Sequence, residues 1–186
     1  MDQALAAALK VFWRRGFDAT SLTDLTEAMG ISRPSLYAAF GNKEQLYRKS
    51  LDLYEREKLA YVQRALAAPT ARGVAERLLY GALDVITGVE DPKGCFGVIA
   101  TLPCGEEAHS IRDDVIAKRA AAMDAMIRRF SEAKAAHDLP DQVDPESLAK
   151  WLSAVMQGMS VQAGAGASRA DLEQVIDTSL DFWPSR

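Results

Sequence analysis

The chain has 186 residues, 48% hydrophobic and 26% charged, enough for one sizeable core or for a small domain joined to a larger one. Its formal net charge of −4 argues against a uniformly basic nucleic-acid binder, but the charge is uneven: nine Lys and Arg face eight Asp and Glu up to Lys58, and 13 face 18 after it. Two cysteines and two histidines in no ligand spacing exclude a disulfide framework and a structural zinc. With no apolar run of roughly eighteen residues and no leader-like start, the expected address is the cytoplasm, without membrane or cofactor.

Leu5, Leu9, Phe12 and Gly16 keep the spacing of one helix face, which predicts a first helix over residues 2–15 that stops at Gly16. Ser21 is placed to cap a second helix, with Asp24 in its first turn. Leu22, Leu25 and Met29 form the buried stripe of that helix, and Gly30 ends it. Ser32 then caps a third helix whose first turn contains Pro34, where the missing N–H is no loss. Gly41 ends this helix after Phe40, and Asn42 with Gln45 forms a capping box for the next. The stretch Arg33 to Phe40 is therefore a very short helix with sharply marked ends.

Two short helices joined by Met29-Gly30-Ile31-Ser32 make a helix-turn-helix. Its second member would present Arg33, Pro34, Ser35, Tyr37 and Ala38 to a major groove, while Leu25, Ile31, Leu36 and Phe40 hold the pair together. An ordinary corner between two helices has the same spacing. The residue types favour the DNA reading.

The segment "DATSLTDLTEAMGISRPSLYAAFGNKEQLY", preceded by "AAALKVFWRRGF", resembles the DNA-binding domain of the TetR family of bacterial transcriptional regulators from about Ala6 to Tyr47. The resemblance implies phosphate contacts from Tyr37, Lys43 and Thr20 or Ser21, and residue types agree, since a phenol on a short helix and an ammonium beside a helix start suit an anion. It also implies base reading by Arg33 and Ser35, with Pro34 and Ala38 against thymine methyls. Ala38 and Ala39 stand where many members carry His or an aromatic ring, so a smaller recognition surface is expected. The sequence begins almost at the first helix, without the Arg/Lys-rich arm that many members place ahead of it; a true absence would imply fewer phosphate contacts, and a trimmed N-terminus is the alternative.

After Lys43 the pattern predicts one long helix carrying Tyr47, Leu51, Tyr54 and Tyr61, then a helix after Thr70 through Val74, Leu78, Ala82, Val85 and Val89. "GVEDPKG" reads as a turn, and residues 94–103 as a short segment whose "KGCFGVIA" resembles the start of the sixth helix in many family members. Ile116, Ala120, Met123, Ile127 and Phe130 mark another long helix. Asp144-Pro145 opens the next, and Leu172 to Trp183 lie on the last. The expected fold is all-α with about nine helices. A helix-turn-helix domain at 1–46 precedes a helical effector-binding and dimerisation domain at 47–186.

The apolar surface of the last two helices, with Leu148, Val155, Met159, Leu172, Val175, Ile176 and Trp183, predicts pairing with a second copy as a four-helix bundle. A cavity for a small-molecule effector is implied mainly by the resemblance. Its candidate lining is Tyr80, Phe96, Ile99, Met123, Met126, Phe130, Trp151 and Gln157, with His109 at the edge. The expected function is a ligand-responsive repressor that binds double-stranded operator DNA as a homodimer. No nucleophile signature, phosphate-cradling loop or carboxylate pair points to an enzyme. The alternative within the same fold is a redox regulator switched through Cys95 and Cys104.

Overall fold

The computed structural model describes residues 2–100 and 109–184, and every regular element among them is a helix. In chain order these are α1 (Asp2–Arg15), α2 (Leu22–Met29), α3 (Arg33–Phe40), α4 (Lys43–Lys58), α5 (Tyr61–Leu66), α6 (Ala71–Ile86), α7 (Phe96–Ile99), α8 (His109–Ala135), α9 (Pro145–Gly164) and α10 (Arg169–Asp181). The helix starts follow local capping chemistry. Ser21, Asn42 and Ser168 each close a capping box with the residue three positions on, while Ser32, Thr70 and Asp144 accept one backbone N–H apiece.

The sequence pattern predicts about nine helices, and the tenth arises because the long helix after Lys43 is interrupted at Leu59. No proline or glycine stands there. The break instead lets α5 lie along α6, where the Tyr61 ring covers the hydrogen face of Gly81 so closely that a methyl group there would collide with it. Val89 also departs from expectation. α6 stops at Ile86, and Val89 is exposed in the turn beyond, where Lys93 Nζ donates to the carbonyls of Thr87 at 2.8 Å and Gly88 at 3.0 Å.

The chain divides into two compact units: unit 1 is Met1–Leu59 with Cys95–Ile116, and unit 2 is Ala60–Gly94 with Ala117–Arg186. Unit 1 is organised around rings. Phe12 and Tyr47 meet edge to face at 4.8 Å, as do Trp13 and Tyr54, and Phe96 packs on Trp13, Tyr47 and Tyr54 at 5.2–6.5 Å. Leu25, Leu36 and Phe40 attach α2 and α3 to this core.

Unit 2 is built on α6, with Leu78, Leu79 and Leu83 fully buried, and Phe130, Leu152, Met159, Leu172, Ile176 and Trp183 buried in the same unit. Leu148, Met159, Leu172, Ile176 and Trp183, assigned above to a contact between copies, are thus interior residues of a single chain. The outward faces of α9 and α10 carry other residues: Trp151, Ala154, Val155, Gly158 and Val161 on α9, and Val175, Thr178 and Phe182 along and just past α10. In α8 the stripe drawn through Ile116 is one position off. Val115 is 5% exposed and Ile116 45%, Ala120 is exposed, and Met123 and Ile127 are half-buried; Phe130 is buried, as is Met126, which lies outside that stripe. Val115 and Ile116 belong to unit 1 and Phe130 to unit 2, so burial along α8 is decided separately in each unit.

Candidate nucleic-acid interface

Gly30 adopts φ 65° and passes its N–H to Glu27 and Thr26, so α2 ends in one left-handed residue and α3 starts three residues later. Leu36 and Phe40 are 1% and 4% exposed, which fixes the inner face of α3. Arg33, Pro34, Ser35, Tyr37 and Ala38 are consequently exposed together, Tyr37 at 49%. The five residues expected on a recognition face are all solvent-exposed.

Their side chains are partly organised within the chain. One Arg33 guanidinium nitrogen donates to Thr23 Oγ1 at 3.2 Å, and Ser35 Oγ lies 2.9 Å from Ser32 Oγ beside the α3 cap. Lys43 holds its ammonium 4.3 Å from the centre of the Phe17 ring, a cation–π contact that keeps it at the start of α4. Lys49 Nζ lies 3.4 Å from the Ala39 carbonyl and 5.5 Å from the Phe40 ring. Between the end of α3 and the first turns of α4 is a groove of about 510 Å³ lined in part by Tyr37, Phe40, Arg48 and Lys49.

Thr20 and Ser21 stand differently. The Thr20 hydroxyl is buried and donates to Gly16 O at 2.7 Å, and Ser21 Oγ donates to Asp24 Oδ2 at 2.7 Å while accepting from the Asp24 N–H. Both hydroxyls serve the turn into α2. Asp24 is held at about 2, well below the usual carboxylate range, first by the Ser21 hydroxyl and backbone N–H and then by Arg15 at 2.6 Å. Both partners precede the first residue of α2.

Arg48 is committed to carboxylates: it bonds Glu44 at 3.0 Å and pairs with Asp114 of α8, and Ser110 Oγ donates to Glu44 at 3.1 Å. Those bonds from Arg48 and Ser110 lower the Glu44 carboxyl. Arg33, Lys43 and Lys49 instead rest on Thr23, the Phe17 ring and the Ala39 carbonyl, respectively. Thr23 and Phe17, which position Arg33 and Lys43, escape sequence reading because a hydroxyl and a ring in those places have no pattern of their own.

The residues assigned to an effector cavity fall in both units. Tyr80, Met123, Met126, Phe130, Trp151 and Gln157 lie in unit 2, where Phe130 and Trp151 both touch Trp183 at 5.8 and 6.1 Å. Tyr80 Oη donates to Asp177 at 3.3 Å, and burial with Asp177 beside it raises the phenol; Gln157 bonds Ser153 at 2.8 Å. Phe96 and Ile99 belong to unit 1, Phe96 as a fully buried core ring. His109 is exposed at the first turn of α8. Cys95 is half-buried, with the Tyr54 hydroxyl donating to its sulfur at 3.1 Å. Cys104 lies outside the described residues.

Residues 4–49 match the family described as bacterial regulatory proteins, tetR family, and residues 75–178 match the tetracyclin repressor-like C-terminal domain. The chain is 33% identical over 186 residues to the HTH-type transcriptional repressor ComR of Escherichia coli (strain K12), covering 98% of this chain and 88% of that one. It is 29% identical over 185 residues to the repressor BdcR of the same strain, covering 96% and 84%. It is similar in structure to a cysteine-substituted variant of the regulator CifR solved with 26-base-pair double-strand operator DNA. That likeness has a TM-score of 0.91 at 39% identity and covers 98% of this chain and 96% of that one. Helix-turn-helix geometry, the match of both segments and these relatives agree: the chain belongs to the TetR family of bacterial transcriptional regulators.

Proposed function

We propose that the protein is a cytoplasmic, non-enzymatic repressor that binds a near-palindromic operator as a homodimer and leaves it when a small-molecule effector binds. The observation that carries the DNA reading is the outward face of α3, where Arg33, Pro34, Ser35, Tyr37 and Ala38 are exposed on a helix locked from behind by Leu36 and Phe40. Arg33 and Ser35 read base edges, Pro34 and Ala38 meet thymine methyls, and Tyr37 and Lys43 hold phosphates. Thr20 and Ser21 contribute through the backbone at the start of α2, since their hydroxyls serve its cap.

Residues 1–46 perform the recognition, and residues 47–186 hold the effector and the second copy. Of the candidate effector residues, Tyr80, Met123, Met126, Phe130, Trp151 and Gln157 share unit 2, a mixed apolar and polar set suited to a small organic molecule. The outward faces of α9 and α10 suit pairing with their own copies, since Val161 and Phe182 are 61% and 81% exposed. Selecting duplex fragments from the source genome with the purified protein tests the reading. The expected result is one enriched inverted repeat with half-sites about 34–36 Å apart; enrichment of no sequence over random DNA would overturn it.

A further inference from the structure

α3 has only eight residues, two turns that would not hold as an isolated helix. Ser32 closes its start, and Leu36 and Phe40 hold its inner face. Its far end is closed from α4. Gly41 leaves the helix at φ 79°, ψ −136° while donating its N–H to Tyr37 O at 3.0 Å, and the Gln45 side chain lies against Gly41 so closely that a Cβ there would collide with it. The same Gln45 Oε1 accepts the Asn42 N–H at 3.2 Å. One turn further along α4, Lys49 Nζ donates to the Ala39 carbonyl at 3.4 Å and stands 5.5 Å from the centre of the Phe40 ring. The last turn of α3 has no basic residue of its own.

We infer that Lys49 is a positioning residue for DNA recognition: from the second turn of α4 its ammonium closes the C-terminal end of α3 and so holds Tyr37 and Ala38 where DNA meets them. This deepens the repressor reading and rests on it. The last four carbonyls of a helix have no partner within it and form the negative end of its dipole, where a cation is stabilising. In a helix of two turns the last turn is half of the element, and here it carries Tyr37 and Ala38, two of the five exposed residues of the recognition set. Fraying of that turn would displace both, while Arg33 and Ser35 stay beside the Ser32 cap. Lys49 thereby differs from Lys43. An ammonium that rests on the Ala39 carbonyl displaces no counterion from a phosphate, so its loss changes the seating of α3 without changing the salt dependence of binding.

The test uses the full-length protein, a genome-selected operator fragment and a random duplex, each at several salt concentrations. Lys49→Met keeps the apolar stem and removes the ammonium. It is expected to weaken operator binding about two- to fivefold with the salt slope of the wild type, and to weaken random-duplex binding no more than Arg56→Met does. Arg56→Met is the control, because it takes one charge from the exposed last turn of the same helix. Lys49→Arg retains a cationic donor and is expected to bind operator as the wild type does. The contact itself is read without DNA. Ala39-Phe40 is the one Ala-Phe pair in the sequence, so labelling alanine carbonyls with 13C and phenylalanine with 15N isolates a single amide cross-peak that reports on the Ala39 carbonyl. That carbonyl resonance should move in Lys49→Met and stay in Arg56→Met. A salt slope lowered by about one unit in Lys49→Met would make Lys49 a phosphate contact and overturn the positioning role. An unmoved Ala39 carbonyl, an operator loss no larger than that of Arg56→Met, or no rescue by Lys49→Arg would overturn it equally. Wild-type protein that selects no operator would overturn the repressor reading instead, and the Ala39 carbonyl would still decide whether Lys49 closes α3.

Discussion

Arg33 lies at the exposed start of α3 with its guanidinium on Thr23, an arrangement that limits its rotamers before DNA arrives. Arg33→Ala is expected to cost about 1–3 kcal/mol on the selected operator and far less on random duplex. Lys43→Ala should weaken both alike and reduce the salt slope by about one unit. Competition binding at several salt concentrations separates the two, and equal losses on both DNAs for Arg33→Ala would remove its base-reading role. Asp24 titrates at about 2 when folded against an ordinary 3.8, so the unfolded chain takes up its proton first as pH falls. Its support for α2 is complete above the ordinary value and is lost as pH drops through about 2. A carbon-detected titration should find that depressed midpoint; one near 3.8 would mean the Ser21 box is absent in solution.

Each short helix depends on how it is stopped. Gly30 ends α2 in the left-handed region with open space around it, so Gly30→Ala meets backbone strain and no collision. A destabilisation of about 1 kcal/mol is expected by urea unfolding followed through tryptophan fluorescence, with a loss of operator affinity because α3 starts from that turn. His137 is the converse case, a non-glycine residue at φ 61° just past α8. His137→Gly should relieve that strain and raise stability by up to about 1 kcal/mol in the same assay; a decrease would show that its ring makes an offsetting contact. α5 has no side-chain cap at its start. Its far end is held by Arg129, which donates to the carbonyls of Leu66, Ala68 and Pro69 at 2.8–3.2 Å. Arg129→Ala is expected to cost about 2 kcal/mol, mostly by leaving those carbonyls without their charged donor.

At the scale of the whole molecule the consequence is assembly. Val161 is 61% exposed, so Val161→Glu should change the stability of a single chain by no more than about 0.5 kcal/mol. If α9 and α10 pair with their copies, the same substitution places carboxylates against an apolar seam and should turn a dimer into a monomer at micromolar concentration. Sedimentation velocity reads the difference. A wild-type chain that sediments as a monomer, or a variant that remains dimeric, would place the contact elsewhere. Loss of the dimer should also lower operator affinity steeply, because each α3 alone reads only a few base pairs.

The caps at Ser21, Ser32 and Asn42, the glycine stops and the outward set on α3 were legible in the sequence because each depends on residues within about four positions. Residue types at that spacing leave one low-energy arrangement, so the helix-turn-helix and the exposed set on α3 could be read directly. Which side of an apolar helix meets the interior could not. α9 carries apolar residues on more than one face, and packing in unit 2 places Leu152 and Met159 inside while Trp151 and Val161 face outward. Likewise, no local pattern separates a ring that lines a cavity from one that completes a distant core. Phe96 joins Trp13, Tyr47 and Tyr54 because they share space, although they lie more than forty residues away along the chain. The break at Leu59 has the same origin: the chain turns where Tyr61 reaches Gly81, a partner that only the folded chain brings within range.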